Sequence, residues 1–201
     1  MSRTSERRAV TRLDPAVRRH QIVEAAAKLF EVRDPTEVPF EEIADAAGVS
    51  RALVYNYFGD RNGLLAAVEL HLFEALDPAL EVGVDRDDPP EERFRATVEA
   101  YLRFFAERPG TWRVLRAGSL IGHPAATEAR RTRIARVAEG WGGTAAAWVA
   151  ASAVVGMLEA TVLELLDEKG RSPDLDATGR VLAGLIWRGV SSLEAQGVTA
   201  S

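Results

Sequence analysis

The sequence predicts an all-α fold: a small N-terminal unit of three short helices, then a larger helical bundle. Three observations carry this expectation. Apolar residues recur at helical spacing almost throughout, and no alternating Val/Ile/Thr run is long enough for a strand. The punctuation is that of helix ends, with Asp14-Pro15, Ser50 and Asp60 as starts and Gly48, Pro109-Gly110, Gly122-His123-Pro124, Gly140–Gly143 and Gly170–Ser172 as breaks. Cysteine is absent from the 201 residues, which excludes disulfides, thiolate metal sites and a thiol nucleophile.

Taken in order, Asp14 caps a first helix whose apolar face is Val17, Ile22, Ala26, Leu29 and Phe30. Pro35 and Pro39 bracket a short loop. A second helix runs from about Phe40 to Ala47, a third from Arg51 to Phe58, and a fourth from the Asp60 cap to about Leu80. Glu81–Glu92 has no apolar face and reads as a linker. Further helices are expected near Pro90–Glu107, Thr111–Leu120, Pro124–Glu139, Thr144–Glu168 and Pro173–Ala195. The organisation expected is an arginine-rich, flexible arm over 1–15, a helix-turn-helix domain over 16–76 and a bundle over 77–201.

The segment Phe40–Phe58, FEEIADAAGVSRALVYNYF, carries the sharpest signal. A helix-turn-helix needs a small residue where its two helices cross, and Ala44 stands there. It needs a residue tolerant of a left-handed conformation in the turn, and Gly48 follows four positions later. Ile43, Ala47, Val49, Val54 and Tyr57 fall where that geometry requires burial. The alternative is an αα-corner without a nucleic-acid role.

GVSRALVYNYFGDRNGLL resembles the helix-turn-helix signature of the tetracycline-repressor (TetR) family, over about His20 to Val68. The resemblance implies a homodimeric, usually repressing transcription factor that a small ligand releases from its operator. It assigns Arg51–Phe58 to the recognition helix, with Arg51 and Ala52 at base edges and Tyr55 and Asn56 at base edges or the flanking backbone. Ser50, Tyr57 and Arg61 match positions that bind phosphates. Two residues depart from the family pattern. Pro39 stands where a Ser or Thr often caps the second helix, and Leu53 replaces a frequent threonine.

The last two helices are apolar on too many sides for one neighbour each, which implies a partner surface. Val155, Leu158, Val162, Leu182, Ile186 and Val190 are the expected interface, in an antiparallel four-helix arrangement between two copies. The family dimerises there as well. The alternative is one thick monomeric core. Tyr101, Phe104, Phe105, Trp112, Arg116 and Trp148 are the candidate lining of an apolar effector pocket, although aromatic residues at helical spacing also build cores.

Enzyme and metal readings find little support. His20, His71 and His123 are isolated, Asp85–Asp88 lacks the glycine and terminal glutamate of a calcium loop, and the Gly140–Gly143 run follows no strand. No cofactor and no metal are expected. The weakly polar run Thr144–Leu158 is shorter than a membrane span, and a cytoplasmic protein is expected. The expected partners are therefore double-stranded operator DNA, a small effector and a second copy. A second reading has the same fold recruiting a protein partner without an effector.

The net charge of −5 does not oppose DNA binding. Residues 1–63 hold ten basic and ten acidic side chains, so the acidic excess belongs to the bundle. Residues 1–19 alone hold six arginines against Glu6 and Asp14.

Overall fold

The computed structural model describes residues 14–81, 85, 87–108, 110–121, 123–165 and 174–195. The arginine-rich arm, apart from Asp14 and Pro15, lies outside the described residues. So do the expected end of the eighth helix at Glu168 and the expected start of the ninth at Pro173. The described residues are all-helical as expected: α1 (Pro15–Val32), α2 (Phe40–Ala46), α3 (Arg51–Phe58), α4 (Arg61–Leu80), α5 (Pro90–Ala106), α6 (Thr111–Ile121), α7 (Pro124–Gly140), α8 (Ala145–Leu165) and α9 (Leu175–Ala195).

Local chemistry accounts for most of the boundaries. The Asp14 carboxylate accepts from the Ala16 N–H at 2.7 Å, and Pro15 occupies the first helical position, where no N–H is needed. Gly48 has φ +64°, a conformation that places a glycine in the turn between α2 and α3. The Val49 N–H then returns to the Ala44 carbonyl at 2.9 Å, closing the turn. Pro39 precedes α2 without any side-chain capping bond. Arg33 secures that end instead, donating to both Glu42 carboxylate oxygens at 2.8 and 2.7 Å and to the Glu37 carbonyl at 3.0 Å.

One contiguous core joins the N-terminal helices to the bundle. Ile22, Phe30, Val38, Ile43 and Val54 are buried in it, together with Val98, Phe105 and Ile186. Val17, expected on the inward face of α1, is 47% exposed, because it lies more than a turn before the first core residue, Ile22. Helix α4 is the shared element. Six consecutive residues, Leu64–Glu69, are buried, and the helix packs on α1, α3, α5, α6 and α7. The expected domain division at 76/77 falls inside it. A smaller core of Ile134, Ala138, Ala147 and Ala151 ties α7 to α8.

The outer helices correct the expected interface. Val162, Leu182, Ile186 and Val190 are buried in the main core, and Leu158 packs against it. Val155 packs on the smaller core. The apolar side chains left outward are Trp148, Val149 and Met157 on α8 and Val181 and Leu185 on α9. Helix α8 is apolar around its whole circumference, so its sequence does not say which stripe turns inward; packing on α5 and α7 decides it. With 21 residues, and a mean hydropathy of 1.7 over an 18-residue stretch, α8 is long and apolar enough to cross a membrane, longer than the run read from sequence. Here it packs on α7, α5, α6 and α9.

Candidate DNA-binding face and ligand cleft

Helix α3 presents two faces. Val54 and Phe58 are buried and Tyr57 packs on the core, while Ser50, Arg51, Ala52, Tyr55 and Asn56 are exposed together. The face assigned to DNA from the sequence is thus one continuous exposed surface. Ser50 caps the helix, its hydroxyl oxygen accepting from the Leu53 N–H at 3.3 Å, which leaves the hydroxyl proton free to donate outward. Leu53 is half-buried beside this face.

Arg51 is not free. Its guanidinium is paired with the Glu41 carboxylate of α2, donates to the Tyr55 hydroxyl at 3.2 Å and lies over the Tyr55 ring at 5.4 Å. Reaching a base edge therefore requires releasing Glu41. Glu41→Gln is expected to strengthen DNA binding by roughly two- to tenfold at low salt, with a smaller gain at high salt, because it removes both the competing acceptor and a charge that repels phosphate. Titration of a labelled operator at two salt concentrations checks this. Unchanged or weaker binding would show that the pair does not compete with DNA.

Arg61, expected at a phosphate, is half-buried with Nη1 turned inward. It donates to the Pro35 carbonyl at 2.6 Å and the Val38 carbonyl at 2.9 Å, and its guanidinium lies 5.9 Å from the Phe40 ring centroid. Arg61 thus fixes the loop before α2 against the start of α4. Only its remaining N–H groups are available to a phosphate. Beside it, Asp60 caps α4 by accepting from the Gly63 N–H at 2.9 Å. A Cβ on Gly63 would fall 2.1 Å from the Phe58 carbonyl oxygen, so glycine is what lets α3 end directly on α4.

The far end of α4 borders a cleft of about 390 Å³, a volume within the range of small-molecule sites. Leu76 and Leu80 of α4, Phe94 and Val98 of α5, Val137 of α7, Trp141 just after it and Val154, Val155 and Leu158 of α8 make its apolar walls. An ion pair between Asp77 of α4 and Arg136 of α7 also lines it. Of the six residues expected in a pocket, the structure brings Tyr101 alone to this cleft. Phe104, Phe105 and Trp112 are buried core residues, although Phe104 also borders a separate hollow of about 160 Å³ between α1, α4 and α6. Arg116 is exposed, and Trp148 is 41% exposed on the outer face of α8.

A charged cluster borders one side of the cleft through Arg133 and Glu159, with Arg130 exposed beyond it. The Glu159 carboxylate accepts from Arg130 Nε at 2.9 Å and from Arg133 Nη2 at 3.0 Å, and Arg133 stacks 3.2 Å from the Phe73 ring centroid. Glu69 of α4 is 6% exposed, set against α6 where Gly118 leaves room: a Cβ there would fall 2.4 Å from Glu69 Oε2. Burial pushes the Glu69 carboxyl up to about 7, opposed by Arg133. Burial also raises the Tyr101 phenol and lowers the Arg133 guanidinium. Glu69 Oε2, the Tyr101 hydroxyl and Arg133 Nε are buried without a hydrogen-bond partner. Sequence reasoning missed Glu69, Arg133 and the sharing of Glu159 between two arginines. The available signal was a carboxylate inside each of two apolar runs, LLAAVELHLF and VVGMLEATVL.

Residues 22–68 match the family model described as "Bacterial regulatory proteins, tetR family". The chain is 30% identical over 148 residues to the HTH-type transcriptional regulator BetI of Brucella anthropi, covering 63% of this chain and 76% of that protein. Among solved structures, it resembles a tetR-family transcriptional regulator from Streptomyces coelicolor, with TM-score 0.69 and 24% identity, covering 92% of this chain and 85% of that one. It also resembles a TetR-like transcriptional regulator from Rhodococcus sp. RHA1, with TM-score 0.59 and 27% identity, covering 90% and 99%.

Proposed function

Because the chain belongs to the tetR family of bacterial regulatory proteins, which are DNA-binding transcriptional regulators and not enzymes, we propose that it is a homodimeric repressor released from its operator by a small, largely apolar effector. The observation that carries this reading is the course of α4. Its first turn holds the helix-turn-helix through Arg61 and Gly63, and its last turns, at Leu76, Asp77 and Leu80, border the apolar cleft. A ligand that displaces the end of α4 therefore acts on the element that seats α3. In the DNA complex, Arg51, Ala52, Tyr55 and Asn56 face the major groove. Ser50, Tyr57 and the outward N–H groups of Arg61 face phosphates. The two copies meet through the outward apolar faces of α8 and α9, around Trp148, Val149, Met157, Val181 and Leu185.

Selecting bound fragments from the source genome tests the reading. The expected result is enrichment of a site with two inverted half-sites about one helical turn apart, or a multiple of that spacing. Log affinity for the site should fall linearly with log salt. Failure to enrich any fragment above non-specific DNA would overturn operator binding, and a single unrepeated half-site would overturn the dimer.

A further inference from the structure

The deep end of the cleft holds polar groups that the fold leaves unused. Tyr101 is 6% exposed, yet its hydroxyl has no partner, and Arg133 Nε–H beside it has none either. Both residues line the cleft. Burying a hydroxyl and a guanidinium N–H without an acceptor is unfavourable, so such groups mark places where a ligand or water completes the bonding. Within the cleft the missing partner is an acceptor, since Arg133 Nε only donates and the neutral phenol can donate to the same group; Glu69 Oε2, also unpartnered, borders a separate hollow with Gly118 and Arg130.

The charges point the same way. Facing Glu69 are Arg130 and Arg133 from α7, Glu159 from α8 and the Gly118 backbone from α6. Glu159 is shared between the two arginines. The Glu69 carboxyl keeps its proton up to about pH 7. The cluster in that state has two cations against one anion; Arg133 and Glu159 line the cleft, and Arg130, 45% exposed, stands outside it. The Asp77–Arg136 pair elsewhere in the lining is balanced.

We propose that the effector is an amphipathic carboxylic acid whose carboxylate is received by the Tyr101 hydroxyl and the Arg133 guanidinium, with its apolar body between Phe94, Trp141 and Leu158. This specifies the head group of the effector and rests on the effector reading of the same cleft. An anion bound at Arg133 offsets the positive charge that opposes protonation of Glu69, so binding takes up protons, and affinity falls as pH rises through about 7. A cationic ligand would show the opposite sign.

The test is calorimetric titration of the full chain with octanoate, 1-octanol and octylamine, which share an apolar body and differ in head group. Octanoate is expected to bind at least tenfold tighter than the other two, and severalfold tighter at pH 6 than at pH 8. Tyr101→Phe should weaken octanoate about tenfold while leaving the thermal midpoint of the free protein equal or higher, because it removes an unpartnered buried hydroxyl. A merely structural tyrosine would lower that midpoint. Glu69→Gln should abolish the pH dependence and keeps the proposal testable if Tyr101→Phe does not fold. Octanol or octylamine binding as tightly as octanoate would overturn the head-group assignment and leave the effector reading standing. Equal octanoate affinity in Tyr101→Phe and the unmodified protein would also overturn it. Binding of none of the three would overturn the assignment as well; the effector reading would then fail only if a broad ligand screen also left operator affinity unchanged.

Discussion

Gly63→Ala is expected to destabilise the protein by about 1–3 kcal/mol, the usual cost of forcing an added carbon into a packed site. The added Cβ would sit 2.1 Å from the Phe58 carbonyl oxygen and 3.2 Å from its carbonyl carbon, so backbone must yield rather than a flexible side chain. A loss of about 2 kcal/mol lowers the midpoint of thermal unfolding by roughly 4–8 °C for a chain of this size. The relief available is to tilt the start of α4 away from the end of α3. Operator affinity should therefore fall in the same variant, even under conditions where it stays folded. Gly140 provides the contrast, since a Cβ there meets nothing within 4 Å and its backbone is helical. Gly140→Ala should be neutral or stabilising by up to about 1 kcal/mol. Thermal melts of the two variants side by side check both expectations. Equal midpoints would show that α3 and α4 need no close approach at Gly63.

Arg51→Ala is expected to reduce operator affinity about 10- to 100-fold and to relax preference at one base pair of each half-site, the effect of losing a bidentate base contact. Stability should change by less than about 0.5 kcal/mol, because Arg51 is exposed, its pair with Glu41 lies at the surface and alanine favours helix. A stable protein with weak, unselective DNA binding is thus the signature. If Arg51 touched only phosphate, affinity would fall uniformly across sequences and the salt slope would drop by about one contact. Binding of a library of single-base operator variants separates the two cases. In the double variant Glu41→Gln should keep only the salt-sensitive part of its gain, from lifting repulsion of phosphate, since the rest acts through the arginine.

Much of the DNA-facing end was legible without coordinates, because its determinants are local. Ser50, Asp60 and Gly48 each act on backbone groups within a few residues, so helix ends and the turn between α2 and α3 could be placed from spacing. The outward residues of α3 were assigned through the family resemblance, and Val54, expected inward, is buried. Arg61 was less legible: a cation at the start of a helix reads as solvated, and its carbonyl partners Pro35 and Val38 lie on a distant loop.

The bundle yielded less. Aromatic side chains at helical spacing satisfy a core and a cavity equally well, and Phe104, Phe105 and Trp112 went to the core while Leu76, Phe94 and Trp141 went to the cleft. Of the expected interface, Val162, Leu182, Ile186 and Val190 went to the core.

The amino-acid sequence by itself determined the all-α class, the helix-turn-helix, the residues α3 offers outward and the separation of a charge-balanced DNA-facing end from an acidic bundle. Those properties depend on backbone capping, turn conformation and composition, which act over one or two helical turns. Tertiary structure alone decided which side of α8 and α9 faces solvent, where an apolar volume is left open and which charges share it. Glu69, Tyr101, Arg133 and Glu159 come from four helices. Whether such groups are paired or left wanting a partner depends on how those helices pack, to which no single segment is sensitive.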